Sequence, residues 1–217
     1  MRRKSFDALV SAAGMLLTVV LLAAGALAFW GYSYSNNTVS SQLKAQDITF
    51  PSKAAFANAK PGTEITPAMI PYLEKYAGER MTTGAQAEAY ADHFIAIHLS
   101  EMPYGGVYAK VSAAAMAAPA GSAQATQLKA LEQTVFQGTS LRGMLLNAYG
   151  WWKIGQIALL ASIASFVLAV LTLALSALGI RHMRRVPLEQ EIPKLDTVTT
   201  GGFTTPSGAD RLAPNPS

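Results

Sequence analysis

The segment Leu141–Arg185, LRGMLLNAYGWWKIGQIALLASIASFVLAVLTLALSALGIRHMRR, decides the fold. Between Ile154 and Ile180 it carries no charged side chain. Wound as a helix, that run reaches about 40 Å, against about 30 Å for the hydrocarbon core of a bilayer. Trp151 and Trp152 mark one water interface, and Lys153 can snorkel beside them. Arg181, Arg184 and Arg185 mark the other. Residues 151–180 therefore read as a transmembrane helix.

A second apolar run, Ala8–Trp30, would span about 34 Å as a helix. Its only hydroxyl residues, Ser11 and Thr18, can bond back to their own helix. Trp30, Tyr32 and Tyr34 follow as an aromatic belt. A cleaved leader is the competing reading, with Arg2, Arg3 and Lys4 ahead of it and Ala26-Leu27-Ala28 as a cleavage site. The run exceeds the roughly 7–15 residues of a leader's apolar core, which favours a retained anchor over residues 8–30.

Basic residues then set the orientation. Arg2, Arg3 and Lys4 precede the first span in a short head, residues 1–7, and Arg181, Arg184 and Arg185 follow the second. Both termini are expected in the cytoplasm of a bacterial cell, at the plasma membrane. Residues 31–150, with eight Lys/Arg and eight Asp/Glu, are expected outside it. Charged residues make up 14% of the 217, below the roughly 25% of soluble domains, and the net charge of +4 collects at the membrane edges. Nucleic acid is therefore not an expected partner. The absence of cysteine excludes thiolate nucleophiles and Cys-ligated metals.

The segment between the spans reads as helical. Ser35–Gln46 continues the first span into water, Asp47–Pro51 is extended, and Lys60-Pro61-Gly62 is a turn. Thr66-Pro67 is expected to cap a helix that Gly78 ends, with Met69, Tyr72, Leu73 and Tyr76 on one face. A further helix spans about 84–101, terminated by Pro103 and Gly105-Gly106, and a short one spans 108–116. Ala117–Ala123 is a loop. Gln124–Gln137 is helical and closed by Gly138, after which Thr139 or Ser140 caps the last helix, continuous with the second span. Residues 181–217 read as a basic cytoplasmic junction and a tail, rich in Pro, Gly, Ser and Thr from Pro187 onward, that is expected to be disordered, or ordered only by a cytoplasmic partner. The fold class is thus an all-α membrane protein, two transmembrane helices flanking a helical extracytoplasmic domain.

Small residues four apart permit close packing of membrane helices: Ala24 with Ala28, Ala158 with Ser162, and Ser165 with Ala169. Either the two spans pack on each other through them, or a face is left for another integral membrane subunit. Chemistry is poorly provided for. His93 and His98 are five apart, about 140° on a straight helix, and cannot aim at one ion. Glu88 and Asp92 read as a solvated helix face, and His98 as a hydrogen-bonded residue at the core's edge. No nucleophile elbow, P-loop or dinucleotide fingerprint occurs. No charge lies inside either membrane core, as an ion pathway would require. No cofactor or catalytic residue is expected.

Thr139–Trp152, TSLRGMLLNAYGWW, with the following KIGQIALLAS, resembles a family of small actinobacterial two-span membrane proteins, often labelled aromatic ring-opening dioxygenases. Ser41-Gln42-Leu43, Ile48-Thr49-Phe50-Pro51 and the Tyr90–Ser100 stretch ending in HLS share the resemblance. It implies the topology and the lineage. Actinobacterial respiratory supercomplexes carry small accessory membrane subunits, so a non-catalytic accessory subunit of such an assembly is the expected function. The alternative is an envelope lipid- or ligand-binding module lined by Tyr90, Phe94, Tyr104 and Tyr108. The third reading is a metal-dependent enzyme using His93 or His98 with Glu101.

Overall fold

The computed structural model describes residues 3–185. Arg2 and the tail from Pro187 to Ser217 lie outside them, as do the side chains of Arg3 and Lys4. The described chain is mostly helical, with one isolated antiparallel bridge, Thr49 to Arg80. Two helices dominate: α1, Arg3–Gln46, and α7, Ala123–Arg185. Their 44 and 63 residues correspond to rods of about 66 and 95 Å. Both are long and apolar enough to cross a membrane.

Exposure separates these helices from the core helices of a water-soluble protein. Only 11% of the most apolar window of each is buried. Leu16, Leu27, Leu160 and Leu175 each show about two thirds of their surface, at 67%, 69%, 68% and 69%. Lipid accommodates such a surface and water does not.

Between the long helices the chain forms α2 (Lys53–Ala57), α3 (Ile70–Leu73), α4 (Gly84–Tyr90), α5 (Ala96–Glu101) and α6 (Tyr108–Ala117). These pack as a small head on the upper parts of α1 and α7. Val39 and Leu43 of α1 and Leu145 of α7 share one core with Phe50, Phe56, Met69, Leu73, Met81 and Leu99. Beyond it, α6 and the start of α7 pair through the buried Val111, Ala115, Leu128 and Val135.

Local chemistry fixes the joints. Arg80 closes α1: its Nη2 donates to the Lys44 carbonyl at 2.7 Å and pairs with Asp47 at 2.9 Å. A cation there also suits the negative end of the helix. Thr83 caps α4 by accepting from the Gln86 amide, while the buried Gln86 Oε1 accepts from the amides of Thr82 and Thr83 at 2.7 and 3.0 Å. Gly84, the first residue of α4, lies directly on Trp152, where a Cβ would collide with the indole.

Three expectations need correction. The stretch from Thr66 to Gly78 is broken into a 3-10 turn at Pro67–Met69, α3, and a second 3-10 turn at Glu74–Tyr76. Thr66 makes no capping bond, and its buried hydroxyl lacks a partner. The helix over 84–101 carries a π turn at Ala91–Ile95, where the Ala96 amide donates to the Ala91 carbonyl. Finally, Gly138 does not end a helix. α7 runs through it, and the residue is small because Leu99 crosses there: a Cβ would sit 2.9 Å from Leu99 Cδ2.

Candidate functional site

The first candidate surface is the contact between α1 and α7. Four buried residues of α7, Gly155, Ser162, Ala169 and Ser176, recur every seven residues. On α1, Ser11, Thr18 and Gly25 do the same. A seven-residue repeat is what a left-handed helix pair requires. The helices run antiparallel in constant register: Ser11 meets Gly179, Gly14 meets Ser176, Thr18 meets Thr172 and Ser35 meets Gly155.

Polar groups stud this seam, and four of them, Thr18, Ser35, Ser162 and Thr172, are hydrogen-bonded within it. Ser162 Oγ donates to the Gly25 carbonyl at 2.8 Å. Ser35 Oγ donates to the Trp151 carbonyl at 2.6 Å. The Thr18 and Thr172 hydroxyls meet at 3.0 Å. Only one proton can occupy that contact, so the other hydroxyl bonds to its own turn, at Gly14 or Leu168. Phe166 lies over Gly25, where a Cβ would stand 3.0 Å from the ring.

The residues singled out from four-residue spacing divide accordingly. Ser162 and Ala169 are each 1% exposed. Ala28, Ala158 and Ser165 are half-buried along the flank, while Ala24 faces outward beside Gly25. The small-residue face of α7 is thus taken up by α1 within one chain. Among the interface aromatics, Trp30 and Tyr34 stack on each other at 5.7 Å and are exposed. Trp151 is exposed, Trp152 is half-buried on Gly84, and Tyr32 is half-buried. Lys153, Arg181, Arg184 and Arg185 are exposed.

The second candidate is an aromatic cluster built around the π turn. Tyr90 stacks on Phe94 at 4.5 Å, and Phe50 meets Tyr90 edge-on at 5.5 Å. His98 continues the line, edge-on to Phe94 at 4.5 Å, with Nδ1 bonded to the Phe94 carbonyl at 2.8 Å. His93 lies elsewhere, stacked on Tyr72 with ring centroids 3.5 Å apart. Asp92, also in the π turn, reaches α7 and pairs with Arg142 at 2.7 Å. Sequence spacing did not reveal this pair, whose partners are fifty residues apart.

The two histidines therefore serve different neighbours. Among the described residues, no three of His, Asp and Glu converge in a way that could hold a metal ion. Glu101 is exposed. Tyr104 and Tyr108 lie at the surface, 47% and 42% exposed, while Tyr90 and Phe94 fill the space between helices. Burial, followed by the Glu64 carboxylate, raises the Tyr90 hydroxyl above its ordinary pKa. No protein-family model, curated protein or solved structure matches this chain.

Proposed function

We propose that the chain is a non-catalytic, two-span accessory subunit of a larger bacterial membrane assembly, with its helical head outside the cytoplasm. The observation that carries this reading is the unbroken α7, which is at once a wall of the head and the second span. A head mounted in that way cannot swing on a linker. Its height and angle over the bilayer are set by the α1–α7 seam, as suits a part that positions other subunits.

Further observations support it. Both histidines of the head and one of its carboxylates are already engaged: His93 with Tyr72, His98 with Phe94, Asp92 with Arg142. The outward faces of both spans are large and apolar, available to lipid or to neighbouring integral membrane subunits. Basic residues at the end of α7, with Arg2, Arg3 and Lys4, favour cytoplasmic termini. The two-span architecture, with the actinobacterial lineage that the resemblance implies, makes the respiratory chain the assembly we favour.

The test is purification of the full chain, tagged after Ser217, from membranes in a mild detergent. Stoichiometric recovery of respiratory subunits is the expected result. Recovery of the bait alone as a monomer would overturn the proposal.

A further inference from the structure

A second seven-residue series runs down the outside of α7. Phe136, Gly143, Gly150 and Ile157 form it, and the exposed Leu171 and Leu178 continue it. Gly150 is five residues from Gly155 of the seam, about 140° around a helix, so the series lies on the side of α7 turned away from α1. Its glycines are unlike the others of this helix. A Cβ at Gly138, Gly155 or Gly179 would crowd Leu99, Ser35 or Ser11, whereas at Gly143 or Gly150 it would meet nothing within 4 Å. Glycine weakens a helix relative to alanine, so two that answer no contact within the chain call for one outside it.

The face also passes from water into the bilayer. Phe136 lies fifteen residues before Trp151, about 22 Å above it along the helix. It is nevertheless 52% exposed, and the exposed Tyr108 ring stands 5.8 Å from it. Lipid cannot reach these rings. Ile157, Leu171 and Leu178 lie within the span. An occupant of the whole face must therefore be a rod that crosses the bilayer and continues about 20 Å beyond it. α7 is itself such a rod. From Phe136 to Leu178 the face is about 60 Å long and about 10 Å wide, or about 600 Å² on each partner. Tyr108 and its neighbour Val107, both exposed, bring it toward the roughly 800 Å² of a standard interface.

We infer that this face pairs with the same face of a second copy of the chain. Copies inserted alike stand parallel, so a two-fold axis along the membrane normal brings each residue against its own counterpart. Gly143 then meets Gly143 and Gly150 meets Gly150, where the two backbones approach closely. Phe136 packs on Phe136 and Tyr108 of the second copy. A seven-residue repeat is what such a left-handed pair requires. The inference rests on the reading of α7 as a membrane span, and it leaves the outer face of α1 to other subunits.

The test is oxidative cross-linking of the full chain in native membranes, where no natural cysteine competes. Phe136→Cys and Gly143→Cys should each give a covalent dimer. Thr134→Cys is also exposed, but two residues from Phe136 it points to the opposite side of α7, and it should give about tenfold less. Gly143→Leu combined with Gly150→Leu should weaken pairing about tenfold in detergent, read as the dimer fraction by light scattering. In that variant a Ser35→Cys to Gly155→Cys cross-link reports that each chain is still folded. Monomer alone at both positions, a Thr134→Cys dimer as strong as theirs, or a dimer indifferent to the leucines would overturn the pairing and give the face to lipid or to another subunit. Release of the chain from membranes by alkaline carbonate would overturn the span reading itself, and the inference with it.

Discussion

Ser162 Oγ donates a 2.8 Å hydrogen bond to the carbonyl of Gly25, across the centre of the α1–α7 seam. The bond exists because Gly25 has no side chain and Phe166 covers the space beside it. Ser162→Ala should therefore cost little, about 0.6 kcal/mol, the average for a hydrogen bond between membrane helices. Gly25→Leu should cost more, about 1–3 kcal/mol, since the helices must part to admit it. Unfolding in mixed micelles, followed by circular dichroism, should give that order; a larger loss for the serine change would mean that the seam is not held by close packing.

The register of the seam can be checked covalently, helped by a chain that contains no cysteine. A Cβ at Gly155 would lie 3.2 Å from Ser35 Cβ, near the roughly 3.5–4.5 Å of a disulfide. The pair Ser35→Cys and Gly155→Cys should cross-link rapidly under mild oxidation. Ala24→Cys with Gly155→Cys should not, because Ala24 faces outward.

Gln86 is the most heavily used polar side chain of the head. Its Oε1 accepts from the Thr82 and Thr83 amides, and its Nε2 donates to Glu79 at 2.9 Å. Gln86→Ala would leave those amides without an acceptor, at a cost of about 1–3 kcal/mol. Gln86→Glu keeps the acceptor but sets a carboxylate against Glu79, so it should restore part of the loss in acid and little of it at neutral pH.

Tyr90 predicts an alkaline limit. Burial, and then Glu64, raise its folded pKa above the ordinary value of 10.0. The folded state thus holds this proton more tightly than the unfolded state does. The associated stability is fully present below the unfolded pKa and is lost as pH rises through the folded one. Thermal melts of the full chain should fall more steeply above about pH 10 than those of Tyr90→Phe. Identical alkaline slopes would contradict it.

The long helices were legible because composition alone specifies them: twenty or more apolar residues permit few other structures. The face by which they pack was less so. Four-residue spacing selected Ser162 and Ala169, which are buried, but also Ala24, which is exposed. The seven-residue series Ser11, Thr18, Gly25 was masked because two of its members looked like mere interruptions of the apolar run. Gly138 was misread for a related reason, since glycine marks both helix ends and close crossings and only the presence of Leu99 distinguishes them. Asp92 with Arg142 and His93 with Tyr72 depend on a π turn, which shifts the register by one residue and leaves no periodic trace.

The arrangement of head and termini about the membrane is tested most directly by single-cysteine labelling in intact cells. Met116, 79% exposed at the far end of the head, is the reporter, with a cysteine appended after Ser217 as its counterpart. Met116→Cys should react with a membrane-impermeant maleimide in intact cells, and the appended cysteine only after the membrane is opened. The reverse pattern would put the head in the cytoplasm and contradict the account.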